Sequence, residues 1–435
     1  MQQSEFARRR RHLMRSMGPG SVAIIPSATE HIRNRDVYHD FRQDSDFRYL
    51  TGFNEPESVA VFIPGRKLGE YILFCREKDP AKEIWDGLRA GQEGAVEQYG
   101  ADDSFPIADI DDILPGLMEN RERVFYTMGR IPDFDKTMME WLNRVRGQAR
   151  MGIAAPSEFI DLDHQLHDYR LYKSRAEISA MRKAAKVSAM AHKRAMRACQ
   201  PGMYEYQVEA EILYEFNKAG MGTAYPSIVG GGKNGCILHY IDNADKLQAG
   251  DLLLIDAGSE HEGYAADITR TFPVSGTFSE PQRELYEVTL EAQLAAIEKT
   301  VPGNHWDEPH MAAVEVLTHG LKDLGLLKGS VNKLIKDKAY SRFYMHRTGH
   351  WLGMDVHDVG DYKIENEWRL LEPNMVTTVE PGLYVQAAKD VPKRFHNIGI
   401  RIEDDVLITK DGNDVLSKGV PKDVASIEAL VGSGI

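Results

Sequence analysis

Apolar positions recur along the chain in two textures. Over the first part, short apolar runs at Ser21–Pro26, 58–64, Tyr71–Cys75 and 123–128 are bounded by proline, glycine and charge clusters, and each predicts a buried strand. Residues 81–99 and 133–145 follow a helical pattern, so this part reads as an α/β layer domain. At the N-terminus Phe6, Leu13 and Met17 recur at near-helical spacing around the arginine run 8–11. That pattern predicts a solvated, basic helix face rather than a signal or transit peptide, because no apolar h-region follows.

The texture changes near residue 170. Over 173–199, Ile178, Met181, Ala184, Val187 and Ala191 share one stripe of a long helix. A second helix follows over 204–220 and ends at Gly220. From there, strand pairs separated by helices run to the C-terminus. The expected organisation is an α/β N-terminal domain over 1–170 and an α+β domain over 171–435.

The second domain contains an internal echo. Gly250-Asp251-Leu-Leu-Leu-Ile-Asp256-Ala-Gly258 parallels Pro373-Asn374-Met-Val-Thr-Thr-Val-Glu380-Pro-Gly382: a turn signal, a short apolar strand, an acid, one residue, then glycine. A second acid follows each, Asp267 after the first and Glu403 after the second. Two pseudo-twofold strand hairpins are therefore expected, each presenting two carboxylates to one site. Residues 252–255 are apolar throughout, as in a strand buried on both faces. Asp256 at its end is expensive unless paired, neutralised or bound to a metal. Residues 265–272 alternate, which puts Asp267, Thr269 and Thr271 on one strand face. Residues 399–408 also alternate, with Arg401 and Glu403 on one face. An acid beside an arginine fits an internal salt bridge or an anionic site in which Arg401 orients a ligand. Between the hairpins stand His346, His350 and His357, a dense group in a chain with 15 histidines. Gly349 and Gly353 predict a loop whose backbone approaches a ligand closely.

Composition narrows the chemistry. The chain of 435 residues has 53 Lys+Arg against 66 Asp+Glu, a net charge of −13. That balance argues against a nucleic-acid binder or a protein held on anionic lipid. Cys75, Cys199 and Cys236 are too sparse for a disulfide framework or a zinc knuckle and fit a reducing, cytoplasmic compartment. No apolar run approaches the ~20 residues of a membrane span. The string from His261-Glu262 lacks the second histidine of a metalloprotease HExxH, because Ala265 stands there. No GxSxG elbow occurs, and the glycine run 230–235 lacks phosphate-loop spacing and reads as a tight turn. What remains is oxygen-rich. Four carboxylates with one or two histidines favour a hard cation such as manganese, or iron or cobalt, and four are too many for one ion with an open position. They suit two metals ~3.5–4 Å apart sharing a water.

At these residues the sequence resembles the aminopeptidase P (Xaa-Pro aminopeptidase) family of pita-bread metallopeptidases. The matching stretches are 234–240 (NGCILHY), 254–272, 345–358, 378–384 (TVEPGLY) and 399–404 (GIRIED). Residues 42–57 and 83–89 resemble the creatinase-like N-terminal domain of the long bacterial forms. The resemblance implies a pita-bread catalytic domain and hydrolysis of the N-terminal Xaa-Pro bond by a dinuclear, metal-bridged hydroxide. It implies two divalent ions, manganese first, with cobalt, iron or zinc as alternatives. The implied ligands are Asp256, Asp267, His350, Glu380 and Glu403, with Asp267 and Glu403 bridging. Glu380 is implied as general base and acid, His346 and His357 as oxyanion donors, and His239 and Arg401 as substrate contacts. Asp36 and Trp85 resemble N-domain residues that reach a neighbouring subunit's site in a dimer or tetramer. Arg347 and Glu367 depart from the family pattern, standing where relatives often carry Gly and Arg. Two alternatives share the fold, a prolidase confined to Xaa-Pro dipeptides and an inactive peptide-binding member.

Overall fold

The computed structural model describes residues 1–434 and divides into two compact units, Met1–His167 and a larger one from Asp168 onward. The first unit is built on one six-stranded sheet. Its spatial order is Asp103–Pro106, Tyr71–Cys75, Val59–Phe62, Ser21–Pro26, Arg123–Phe125, Glu158–Ile160. The three central strands run antiparallel to one another and the flanking pairs are parallel. Val22, Ile24, Val61, Ile72 and Phe74 pack with Met138, Trp141 and Leu142 of helix Pro132–Arg146. Burial on both faces explains why these strands read as unbroken apolar runs.

Two expectations fail in this unit. Helix Gln3–Met17 buries Phe6, Leu13 and Met17, but Arg9 and Arg10 also turn inward. Arg9 donates to the Tyr49 carbonyl at 3.0 Å and stacks 4.0 Å over the Tyr49 ring; Arg10 donates to the Leu50 carbonyl and lies 4.4 Å over Tyr71. Carbonyl partners and aromatic faces make their burial tolerable. The predicted helix 81–99 is two short helices, Pro80–Asp86 and Gly91–Glu97, separated by Gly87 and Gly91 at φ 90° and 63°. The first of these buries no residue. Ile84, Trp85 and Leu88 are 82 %, 85 % and 91 % exposed, more than any core-facing helix would leave.

The second unit opens with helix Arg175–Ala198. Its Ser174 cap and Glu177 form a reciprocal capping box. Helix Glu205–Lys218 packs against it, and Glu280–Lys299 packs against Glu308–Asp323. Two sets of strands lie between these helices. Leu252–Asp256 pairs with Ile228–Gly231 and Thr269–Pro273; Val376–Val379 pairs with Asp404–Ile408, and Gly382–Val385 with Ile398–Arg401.

Both acid-bearing strands expected to be continuous are broken. The first is split into Tyr264–Ala265 and Thr269–Pro273, with Asp267 in the gap. The second is split into Ile398–Arg401 and Asp404–Ile408, with Glu403 in the gap. The chain leaves the ladder at these points to bond across to the other half. Glu403 N–H donates to the Thr269 carbonyl at 3.0 Å, and Asp267 N–H donates to the Asp405 carboxylate at 3.1 Å. Gly258 permits the crossing: a Cβ there would sit 1.6 Å from the Ala266 carbonyl oxygen.

Candidate active site

The two half-sheets deliver acids at equivalent points. Asp256 ends strand Leu252–Asp256, and Glu380 follows strand Val376–Val379. Asp267 and Glu403 occupy the two strand gaps. All four, with His239, His346, His350, His357 and Arg401, line one cavity of about 410 Å³. Ligand atoms of Asp267, His350 and Glu403 lie within 4.8 Å of one another. His350 Nε2 is 3.5 Å from Asp267 Oδ2 and 3.7 Å from Glu380 Oε1. Its Nδ1 lies 2.9 Å from the Trp351 carbonyl, which accepts only from N–H, so in the neutral ring it is Nε2 that carries the lone pair, on the side of the acids.

A second set of groups holds the outer oxygens. Arg401 Nη2 donates to Asp256 Oδ2 at 2.6 Å. Tyr225 Oη lies 2.6 Å from Asp256 Oδ1 and 2.5 Å from Asp267 Oδ1. Thr269 Oγ1 donates to Glu403 Oε2 at 2.6 Å. Sequence reasoning misses Tyr225 and Asp405. Tyr225 sits in a loop with no periodic pattern, whereas Asp405 stands two residues after Glu403, on the face that the alternation of 399–408 already gives to Arg401 and Glu403.

The electrostatics follow from crowding. Burial, aided by Asp267, pushes Asp256 up to about 6. Burial likewise lifts Glu380 to about 7 and carries Glu403 and Asp405 well above the usual carboxylate range. Burial works to raise Asp267 too, but His350 and Tyr225 more than offset it and hold this acid low. Burial alone would lower His350; Asp267 and Glu380 override it and lift the ring to about 9. So many buried carboxylates facing one arginine and one imidazole are unfavourable without further positive charge. A donor set of four carboxylates and one imidazole fits divalent, oxygen-seeking cations.

The remaining candidates differ in their surroundings. His346 has both ring nitrogens engaged, Nε2 at 2.9 Å from Tyr384 Oη and Nδ1 at 2.8 Å from the Arg347 carbonyl. Burial, with Arg401 nearby, pushes it down to about 4, so the ring is neutral. His357 makes no hydrogen bond among the described residues and rests edge-on against His350, ring centres 4.3 Å apart. Burial and then His350 lower it. Asp36 and Trp85 belong to the first unit, where both are exposed, and neither is among the residues lining this cavity.

Both glycines of the histidine loop are required by packing, and Gly349 also lines the cavity. A Cβ on Gly349 would stand 2.1 Å from the Thr378 carbonyl, and one on Gly353 2.0 Å from Asp358 Oδ2. Asp358 is the loop's anchor: Arg170 reaches Oδ1 at 2.6 Å and Lys173 reaches Oδ2 at 2.9 Å, all three side chains buried. Burial works to raise Asp358, but these two cations hold it low. The loop carrying His350 and His357 is thereby fixed to the segment that precedes the long helix.

Comparison with known proteins agrees with this architecture. The model of "Metallopeptidase family M24" matches residues 179–410, and that of "Aminopeptidase P, N-terminal domain" matches residues 6–126. The chain is 45 % identical over 431 residues to the Xaa-Pro aminopeptidase of Escherichia coli K12, covering 98 % of this chain and 97 % of that one. Among solved structures, Pseudomonas aeruginosa aminopeptidase PepP is 59 % identical with a TM-score of 0.98, covering 99 % of this chain and 98 % of that one. E. coli aminopeptidase P with the inhibitor Pro-Leu is 44 % identical with a TM-score of 0.96 over 99 % and 98 % of the two chains.

Proposed function

Because the chain belongs to metallopeptidase family M24 and carries the N-terminal domain of aminopeptidase P, we propose that it is a metal-dependent aminopeptidase hydrolysing the bond between a peptide's first residue and a following proline. The observation that carries the reading is the convergence of Asp256, Asp267, His350, Glu380 and Glu403 in one cavity.

Those five residues would hold two divalent ions, Asp267 and Glu403 serving both, Asp256 one, and His350 and Glu380 the other. We assign manganese first among cobalt, iron and zinc, since all suit such donors and availability selects. When bound, the ions supply Lewis acidity that brings a water's pKa toward neutrality. Glu380 takes the proton of the attacking water and passes it to the departing proline nitrogen, as base and then acid. His357, with no hydrogen-bond partner among the described residues, donates to the oxyanion, a contribution of roughly 3 kcal/mol per donor. His346, held by Tyr384 and the Arg347 carbonyl, turns to join it as charge develops. His239 and Arg401 bound the substrate, and the acids receive its free amine. Proline's imide nitrogen needs no acceptor, so ring shape suffices for selection.

The N-terminal domain, ending near residue 170, limits substrates to a free N-terminus and supplies the surface for a dimer or tetramer. In that assembly Asp36 and Trp85 serve a neighbouring subunit's site. Three free, buried cysteines suit a reducing cytoplasm.

The test is a product analysis on Xaa-Pro-Xaa, Xaa-Pro and N-acetylated peptides, using chelator-stripped protein with each metal restored separately. Release of the first residue from free tripeptides, with acetylated peptides refused, is expected. Activity confined to dipeptides would identify a prolidase instead. Asp267→Asn and Glu403→Gln should lose metal and nearly all turnover while staying folded; full metal content in either variant would refute the bridging roles.

A further inference from the structure

The cavity's positive charge is unevenly committed. Two arginines line it. Arg401 is buried and bonded to Asp256 at 2.6 Å. Arg347 is exposed at the rim, and no carboxylate lies against it among the described residues. Its guanidinium sits 4.8 Å from the ring centre of Trp368, and Lys363 Nζ lies 4.4 Å from the same ring. Both Lys363 and Trp368 belong to the small hairpin Lys363–Ile364 and Glu367–Trp368, where they are register partners. Glu367 precedes Trp368 in the strand and so points to the opposite face from the indole. Stacking limits the wandering of an arginine that would otherwise be free in water, and leaves its donor edge available.

Resting on the aminopeptidase reading above, we infer that Arg347, stacked on Trp368 with Lys363 beside it, is a subsite for a carboxylate on the leaving peptide. The substrate's free amine goes to the acidic ligand set, so its opposite charge has to be met elsewhere. The one anion every short peptide carries is its C-terminal carboxylate, which in a tripeptide lies one residue beyond proline. An acidic side chain at that position offers the same chemistry. The rim therefore favours short peptides with a free C-terminus, and longer ones with Asp or Glu after proline.

The experiment compares kcat/KM for Ala-Pro-Leu, Ala-Pro-Leu-amide and Ala-Pro-Glu-amide, in wild type and in Arg347→Gln, at low and high salt. An exposed charge pair predicts a preference of about two- to fivefold for the free acid over its amide. That ratio should fall toward one in Arg347→Gln and at high salt. A preference for Ala-Pro-Glu-amide over Ala-Pro-Leu-amide, lost in the variant, shows that a side chain also serves; its absence restricts the subsite to the C-terminus. Equal wild-type rates on all three peptides, or a ratio unchanged in the variant, would overturn the inference and leave the aminopeptidase reading standing. If no peptide is cleaved with any metal, the aminopeptidase reading fails, and calorimetry of Pro-Leu against Pro-Leu-amide then judges the rim. Tighter binding of the free acid that disappears in Arg347→Gln supports the subsite, and equal binding refutes it.

Discussion

Tyr225 has one proton and two carboxylate oxygens within reach, Asp256 Oδ1 and Asp267 Oδ1. Its hydroxyl turns one oxygen of each acid outward and leaves the other facing the cavity. Outer partners of this kind are commonly worth ten- to hundredfold in metal affinity, so Tyr225→Phe should weaken binding of the more loosely held ion by about tenfold. Titration calorimetry of manganese into stripped protein measures this, and unchanged affinity would mean the hydroxyl is a bystander. His310 makes a second residue-scale prediction. Burial, with Arg347 and His346 nearby, pushes it down to about 3, and its Nδ1 lies 2.8 Å from Thr348 Oγ1. An unfolded histidine titrates near ~6.5, so below that pH the unfolded chain binds a proton that the folded one refuses. This contribution to stability is whole above ~6.5 and is lost as pH falls toward about 3. His310→Gln should flatten the fall of the urea midpoint over that window; a parallel fall in the variant would assign the acid sensitivity elsewhere. Asp256 and Glu380 were legible as candidate ligands because one ends and the other follows an apolar strand, and Asp267 and Glu403 because they fall within alternating runs. Tyr225 was not, since a hydroxyl brought in from an unpatterned loop leaves no periodic trace.

At the scale of elements, the echo between the two hairpins was legible because it is written in local spacing. The breaks inside them were not. A period of two places side chains on faces but says nothing of where a ladder ends. Here the ends are set by bonds such as Glu403 N–H to the Thr269 carbonyl, between residues 134 apart in the chain. The same reasoning covers 81–99, where helical spacing ran through two glycines whose positive φ interrupts it. The histidine loop depends on a contact equally remote in sequence, the grip of Arg170 and Lys173 on Asp358. Removing one member leaves buried charge uncompensated, a loss of about 3–5 kcal/mol. Asp358→Asn should therefore lower stability by about that amount in urea unfolding, with His357 less firmly held. A loss below about 1 kcal/mol would show that the loop is fixed by other contacts.

For the whole molecule, the division into an α/β unit and a larger α+β unit was visible as a change of texture, and the family resemblance singled out Trp85 as a contact between copies, but the apolar patch around Trp85 left no pattern of its own. It lies on and beside the short helix Pro80–Asp86, which buries none of its residues. Ile84, Trp85 and Leu88 project from or beside Pro80–Asp86 almost fully exposed, which is costly unless covered in an assembly. Light scattering should return a mass above the 49.0 kDa of one chain, and Trp85→Glu with Leu88→Glu should lower it. A wild-type monomer would remove the oligomer proposal. The pairing of the two half-sheets has a mechanical meaning as well. Arg401 and Asp256 are 145 residues apart in the chain, and the acids on either side of them repel one another when nothing positive lies between. A cation held there works as a reversible cross-link, closing a long loop in a protein whose cysteines are all free. Its removal takes away the fastening and leaves the repulsion, so the melting temperature should track the logarithm of free metal concentration. The catalytic centre is then also the clasp of its domain, and starving the protein of metal unfastens the fold along with the chemistry.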